Sequence, residues 1–264
     1  MSLTANQIFQ RTEKKYLMSQ EQYRDFRQCS GPYIEMDQYG LHTICNIYFD
    51  TEEDTLIRTS LEKPPYKEKL RLRSYGVPGE EGQVFLELKK KWEGVVYKRR
   101  VPMTLKESRD YIEKGIWPDH DRQMMRELDY FMKFYRPKPK VWLAYDREAY
   151  LGREDENLRL TIDRNIRTRT RGLKLELGDA GERLMKEDLY LMEIKVQAAY
   201  PMWLARLLSR LEIYPVSFSK YGNYYMAAQT EKMRKREPEI QDRICTGEVR
   251  EGYGREEHTC LQAF

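Results

Sequence analysis

The chain has 264 residues, 40% hydrophobic and 34% charged, with a formal net charge of +4. That length suits one large domain or two small ones, and the apolar share permits a sizeable core. The weak net charge does not itself point to nucleic acid, and no apolar run approaches the ~20 residues of a membrane helix.

Much of the chain alternates with period two, which predicts strands. "IFQRTEKKYLM" sets Phe9, Arg11, Glu13 and Lys15 on one side of a first strand. Ser19 and Gln22 fit a capping box for a helix that Gly31-Pro32 stops. "LHTICNIYFDT" predicts the next strand. Then come "YKEKLRLRSYG", "QVFLELKKKW" and "GVVYKRRVPM", whose short Gly-containing connections predict antiparallel neighbours. Thr104 and Glu107 cap a helix over 105–114, and 119–135 reads as a second, closed by Arg136-Pro137. Strands resume with "KVWLAYDREAYLG", "LRLTIDRNIRTRT" and "DLYLMEIKVQA". "YPMWLARLLSRLEI" has the 3.6-residue pattern of a packed helix, and "FSKYGNYYMAAQT" predicts a shorter one after a break at Tyr214-Pro215. Beyond Thr230 the chain is charged and aperiodic. The expected organisation is one α+β domain over 5–230 and a loosely ordered tail over 231–264.

The strand faces carry the chemistry. One face collects Arg11, Glu13 and Lys15; Lys69, Arg71 and Arg73; Glu87 and Lys89; Lys98 and Arg100. It continues with Tyr145 and Arg147, then Arg159, Thr161 and Asp163, then Glu193 and Lys195. The opposite faces are apolar, as in Leu70 and Leu72 or Leu158, Leu160 and Ile162. A single such strand reads as an antiparallel strand with one wet face. Long cations on strand after strand, with helices needed over the apolar face, predict instead a sheet curled into an antiparallel β-barrel with its charges inward. Two unit charges ~4 Å apart interact by about 4 kcal/mol at an effective dielectric of ~20. An inward set of cations therefore calls for a polyanion. Arg suits phosphate through its planar fork and Lys as a mobile point charge. A carboxylate among phosphates makes sense when it holds Mg²⁺ or Mn²⁺. Glu193 is the leading metal ligand and Glu13 a weaker one, each weighed against a salt bridge to a neighbouring cation. For Glu87 the salt bridge is the preferred reading.

Other chemistries lack their residues. There is no phosphate loop, no dinucleotide fingerprint and no nucleophile elbow. Cys29, Cys45, Cys245 and Cys260 form no C-x-x-C pair, and His42, His120 and His258 show no ligand spacing. Reduced thiols and a cytoplasmic location are expected. The aromatics show no base-stacking pattern, so no nucleic-acid partner is expected.

The segments "RTEKKY", "YFDT", "KLRLRSYG", "LELKKK" with "YKRR", "YDREAY", "LRLTID", "MEIKV" and "FSKYGNYY" occur in that order across roughly 7–228. In this the chain resembles the catalytic domain of the vacuolar transporter chaperone (VTC) polyphosphate polymerases, within the triphosphate tunnel metalloenzymes. The resemblance implies a barrel tunnel that binds ATP and polyphosphate and passes the γ-phosphate to the chain end. It implies that Lys15, Arg71, Arg73, Lys89, Arg147, Arg159 and Lys195 act on the phosphates. Lys98 and Lys220 would bind substrate with them; the strand faces add Arg11, Tyr145 and Lys69 as expected substrate contacts, with Lys69 at the mouth because it starts its strand. Glu193 and Glu13 would hold Mn²⁺ or Mg²⁺. The triphosphatase members carry E-x-E-x-K on the first strand; here it reads Arg11-Thr12-Glu13-Lys14-Lys15. That looks like the polymerase branch. With no membrane segment in the chain, a place in a translocating complex would need a separate membrane partner. A triphosphatase and a non-catalytic polyphosphate-binding module are the alternative readings.

Overall fold

A computed structural model of the chain describes residues 12–119, 122–197 and 199–245, with side chains described as far as 235. Phe9 and Arg11 lie outside the described residues.

Strand β1 (Thr12–Ser19) runs into helix α1 (Gln20–Ser30) through the expected capping box. Gln22 N donates to Ser19 Oγ at 3.2 Å, and Ser19 N donates to Gln22 Oε1 at 3.0 Å. Strands β2 (Ile34–Met36) and β3 (His42–Asp50) follow. Next comes a short helix, α2 (Thr55–Leu61), which the periodicity does not announce. Two side chains pin it: Thr51, whose Oγ1 accepts from Thr55 N at 3.0 Å, and Asp50. The buried Asp50 carboxylate accepts from Thr51 N and Leu56 N at 2.8 Å and from Ile57 N at 2.9 Å. Strands β4 (Tyr66–Tyr75), β5 (Gln83–Trp92) and β6 (Val95–Thr104) form a meander. The β5–β6 turn is Glu93-Gly94, with φ of 44° and 89°. Two left-handed residues match the twist of the strands they join.

Helices α3 (Leu105–Lys114) and α4 (Arg122–Tyr135) come next, then the long strands β7 (Lys138–Gly152) and β8 (Arg159–Arg169). After them lie β9 (Glu182–Arg183), β10 (Leu189–Val196), α5 (Met202–Arg210), β11 (Pro215–Val216) and α6 (Lys220–Cys245). The chain divides after Tyr224 into two units. Helix α6 extends further than the short helix expected. Its segment over 231–245 is rich in Lys, Arg and Glu, which favour helix without needing an apolar stripe.

All the ladders are antiparallel, in the order β11-β1-β10-β8-β7-β3-β4-β5-β6, with β2 beside β7 and β9 beside β8. Alternation then sorts the side chains. On one half of the apolar face, Leu70, Leu72, Leu86, Leu88 and Val101 pack with Tyr111 of α3 and Met125, Leu128 and Phe131 of α4. On the other, Tyr16, Met18, Leu160, Ile162, Met192 and Ile194 pack with Phe26 of α1 and Leu204, Leu207 and Leu208 of α5. The helices thus cover the outer face and leave the charged face concave.

The expected closed barrel needs correcting. The sheet ends at β6 and β11, and no ladder joins these ends among the described residues. A two-residue β11 offers too few backbone groups to close it. Side chains reach over the lumen instead. Lys15 Nζ of β1 donates to Phe218 O at 2.8 Å, and Lys69 Nζ of β4 to Ser219 Oγ at 3.3 Å.

Candidate active site

Cross-strand register lines up the inward residues in rows. Arg100, Glu87, Arg71 and Tyr48 form one row across β6, β5, β4 and β3; Lys98, Lys89 and Lys69 form the next. On the other wall Arg147 stands opposite Asp163, Lys15 opposite Glu193, and Glu13 and Arg159 on either side of Lys195.

The first wall is organised by Glu87, which is 2% exposed. Arg71 Nε donates to it at 2.7 Å, and Lys98 Nζ lies 2.9 Å, Arg100 Nε 3.5 Å and Arg73 Nε 3.9 Å away. Burial alone would raise the Glu87 carboxyl. Arg71, Arg73 and Lys98 outweigh that and hold it down at about 2. Glu87 is therefore the salt-bridge centre that the sequence favoured over a metal ligand. Arg71 also donates to Tyr48 Oη at 3.2 Å. Arg73 is nearly buried and donates to Asn46 Oδ1 at 3.0 Å and to Tyr145 Oη at 3.1 Å.

The second wall is organised by Asp163, which has no exposed surface. Arg147 grips it with both prongs, Nε at 2.6 Å and Nη2 at 2.8 Å, and Lys220 Nζ donates to it at 2.6 Å. Burial works against the charged carboxyl, but Arg147 and Lys220 keep it below the ordinary carboxylate range. The Lys220 ammonium sits 4.4 Å from the Tyr145 ring centroid and 3.8 Å from Glu193 Oε1. Burial opposes its charge too, and Asp163 and then Glu193 raise it above the usual lysine value. Lys220 comes from the first turn of α6, so that helix carries its cation into the floor of the cleft.

Glu193 faces Lys15 at 3.5 Å, Lys220 at 3.8 Å and Lys195 at 3.9 Å, and accepts no hydrogen bond from the described residues. Against the pull of burial, Lys220, Lys15, Arg147 and Lys195 hold it ionised far below its ordinary range. Glu13 stands 3.7 Å from Lys195. No group of three or more His, Cys, Asp or Glu converges among the described residues. A divalent ion would therefore be held by a carboxylate with free acceptor positions, Glu193, and take its other ligands from phosphate and water. Mg²⁺ and Mn²⁺ bind this way in phosphate sites.

Lys69, in the second row of the first wall, reaches to Ser219 Oγ. Burial pushes its ammonium down to about 8; Tyr48 opposes the fall, and Lys67, Lys89 and Lys15 add to it. Lys89 and Arg159 make no ion pair or hydrogen bond to any described residue. The structure thus gathers Lys15, Lys69, Arg71, Arg73, Lys89, Lys98, Tyr145, Arg147, Arg159, Glu193, Lys195, Lys220 and Glu13 on one concave face. Arg11 is outside the described residues. Asp163 was visible on the inward face of its strand, but alternation assigns no partner, so its hold on two cations went unread. Asn46 and Tyr48 went unread because β3 is buried on both faces and shows no alternation.

A family model for the VTC domain matches residues 10–228. The chain belongs to the VTC domain family. The match contains every residue of both walls and the Lys220 turn. No curated protein sequence matches this VTC-domain chain. Among solved structures, a Bacillus halodurans protein described as a candidate adenylate cyclase aligns with a TM-score of 0.48 at 16% identity. It covers 78% of this chain and 92% of its own. The Hippeastrum protein HpAC1, a candidate adenylyl cyclase described as having a dominant triphosphatase activity, aligns at 0.47 and 17% identity. It covers 81% of this chain and 95% of its own. Likeness at these scores carries no argument about activity. No helix among the described residues is long and apolar enough to cross a membrane.

Proposed function

We propose that this VTC domain is an ATP-dependent polyphosphate polymerase that moves the γ-phosphoryl group of ATP onto the end of a polyphosphate chain in the basic cleft. The observation that carries the reading is the concave face itself. Cations from seven strands and α6 surround it, and its most buried carboxylates, Glu87 and Asp163, are already engaged with arginine and lysine. Inward residues two apart on a strand are about 6.6 Å apart, so each wall can follow successive phosphates.

In this reading Arg71, Arg73, Lys89 and Lys98 hold phosphates from one wall. Lys15, Arg147, Arg159 and Lys195 hold them from the other, with Lys69, Lys220, Tyr145 and Arg11 adding contacts. A terminal phosphate oxygen of the chain is already anionic, so no side chain has to remove a proton. The new bond from that oxygen to the γ-phosphorus forms as the bond to the β–γ bridging oxygen breaks, and ADP leaves with that oxygen. The fixed guanidinium and ammonium groups stabilise the charge that shifts onto the equatorial and leaving oxygens. Glu193, with Glu13 nearby, would hold one Mn²⁺ or Mg²⁺, which when bound neutralises phosphate charge. Incubation with ATP and Mn²⁺ should yield ADP and long polyphosphate. Orthophosphate alone would make the protein a triphosphatase, a reading that the two carboxylates Glu13 and Glu193 on one wall favour second. Binding without turnover would make it a binding module.

Glu193→Gln should abolish the metal dependence of turnover while polyphosphate still raises the melting temperature. An unchanged metal titration curve would remove Glu193 from the metal site. Lys69 gives a pH signature. Phosphates favour its charged form, so binding takes up a proton once Lys69 is neutral in the free protein, above about 8. Polyphosphate affinity should fall as pH rises above about 8, and Lys69→Gln should flatten that fall. Calorimetric titration showing the same slope in both proteins would place the proton elsewhere.

A further inference from the structure

The β5–β6 hairpin has a second character that the cleft does not use. Trp92, Val95, Val96 and Tyr97, around the Glu93-Gly94 turn, are each between 46% and 52% exposed. Tyr66 extends the patch, its ring centroid 5.7 Å from that of Trp92. Its hydroxyl lies within electrostatic reach of Tyr130 on α4. Tyr130 and Phe134 are themselves exposed and stacked on each other at 5.9 Å. Soluble surfaces rarely gather this many large apolar side chains in one place.

The charge around the patch is predominantly basic, with lysines outnumbering the single exposed Glu93 of the turn. Lys90 is paired with Glu68 and Arg99 with Glu127, while Glu93 in the turn is exposed and makes no ion pair among the described residues. Lys63, Lys67, Lys89 and Lys91 have no carboxylate within ion-pair distance among the described residues. An apolar tip with tyrosine and tryptophan edges, backed by unneutralised lysines, has a complement in chemistry. That complement is an interface that is apolar within and anionic at its rim.

We propose that the β5–β6 hairpin tip, centred on Trp92, Val95 and Tyr97, docks the protein on an anionic lipid surface. Aromatic rings with a polar edge settle at the headgroup boundary, and each nearby lysine is drawn to anionic headgroups. A second copy of the chain is a poor occupant. It would bring like-charged patches together, and Lys98, Arg99 and Arg100 along the free edge of β6 oppose strand pairing. The docking also faces the Lys67–Lys69 and Lys89–Lys91 end of the concave face toward the membrane. It is independent of which reaction the cleft performs.

Sedimentation of the full chain with vesicles tests it. The wild type should bind phosphatidylglycerol–phosphatidylcholine vesicles at low salt and bind phosphatidylcholine alone much less. Brominated lipid should quench Trp92 fluorescence, a signal lost in Trp92→Phe. The exposed double variant Trp92→Ser/Tyr97→Ser should bind about tenfold or more weakly, with an unchanged tripolyphosphate thermal shift confirming an intact fold and cleft. No binding of wild type to anionic vesicles overturns the proposal, as does equal binding by the double variant. So does a wild-type dimer in ultracentrifugation that the double variant loses, since a second copy would then cover the patch.

Discussion

Asp163→Asn is expected to destabilise the protein by about 3–5 kcal/mol, the cost of removing one partner from a buried ion pair. Asp163 is wholly buried, gripped at 2.6 and 2.8 Å by Arg147 and at 2.6 Å by Lys220. An amide leaves two buried cations facing each other, with Glu193 the nearest remaining anion to Lys220 at 3.8 Å. Against a total stability of roughly 5–15 kcal/mol, the melting temperature should fall by about 10 °C. The pH dependence gives the sign. The native Asp163 carboxyl lies below the ordinary range, so its stabilisation is present above the unfolded value near 4 and lost as acid protonates it. The variant should therefore lose less stability than wild type on acidification below about pH 4. Tripolyphosphate should rescue the variant more than it stabilises wild type, because it returns anionic charge to the same cations. A melting temperature within a degree or so of wild type, measured by calorimetry, would show that Asp163 is not what holds the floor together.

Arg71→Ala should lower turnover of ATP to polyphosphate by about 10²–10³-fold, the usual effect of removing one preorganised donor to developing charge. Its fold should survive. Glu87 keeps Lys98 at 2.9 Å and Arg100 at 3.5 Å, and the empty cleft loses one repelling cation. Arg73→Ala should also lose turnover, with an added stability cost of roughly 1–3 kcal/mol. Arg73 is the buried donor to Asn46 and Tyr145, and its removal strands both. Full turnover in Arg71→Ala, with product length read on a gel, would remove that row from the reaction.

These two residues mark how far alternation carries. Arg71 lies two positions before Arg73 on one strand face, and the sequence assigns both to the concave side. It does not show that one is half-buried beside Glu87 while the other is buried and donates to the Tyr145 hydroxyl. Period two fixes the face of a residue but not its depth, because depth depends on what the facing strand presents. The salt-bridge role of Glu87 was legible, since an acid between two basic strands has few other partners. Asp163 was not, because its second cation comes from Lys220, 57 residues along the chain.

The open sheet has a similar origin. Alternating charge predicts curvature, because apolar side chains must be covered on one side only. It contains no count of the backbone groups left at the edges. The two-residue β11 leaves the sheet open among the described residues, and Lys15 and Lys69 reach instead to Phe218 and Ser219. By itself the sequence determined the strand faces, the capping boxes at Ser19 and Thr104, and the cations of the cleft. These follow from local periodicity and from hydrogen bonds spanning three residues. Only the tertiary structure decided which carboxylate each cation meets and where α6 inserts Lys220. Those contacts join residues distant in sequence, and register and packing, rather than pattern, bring them together.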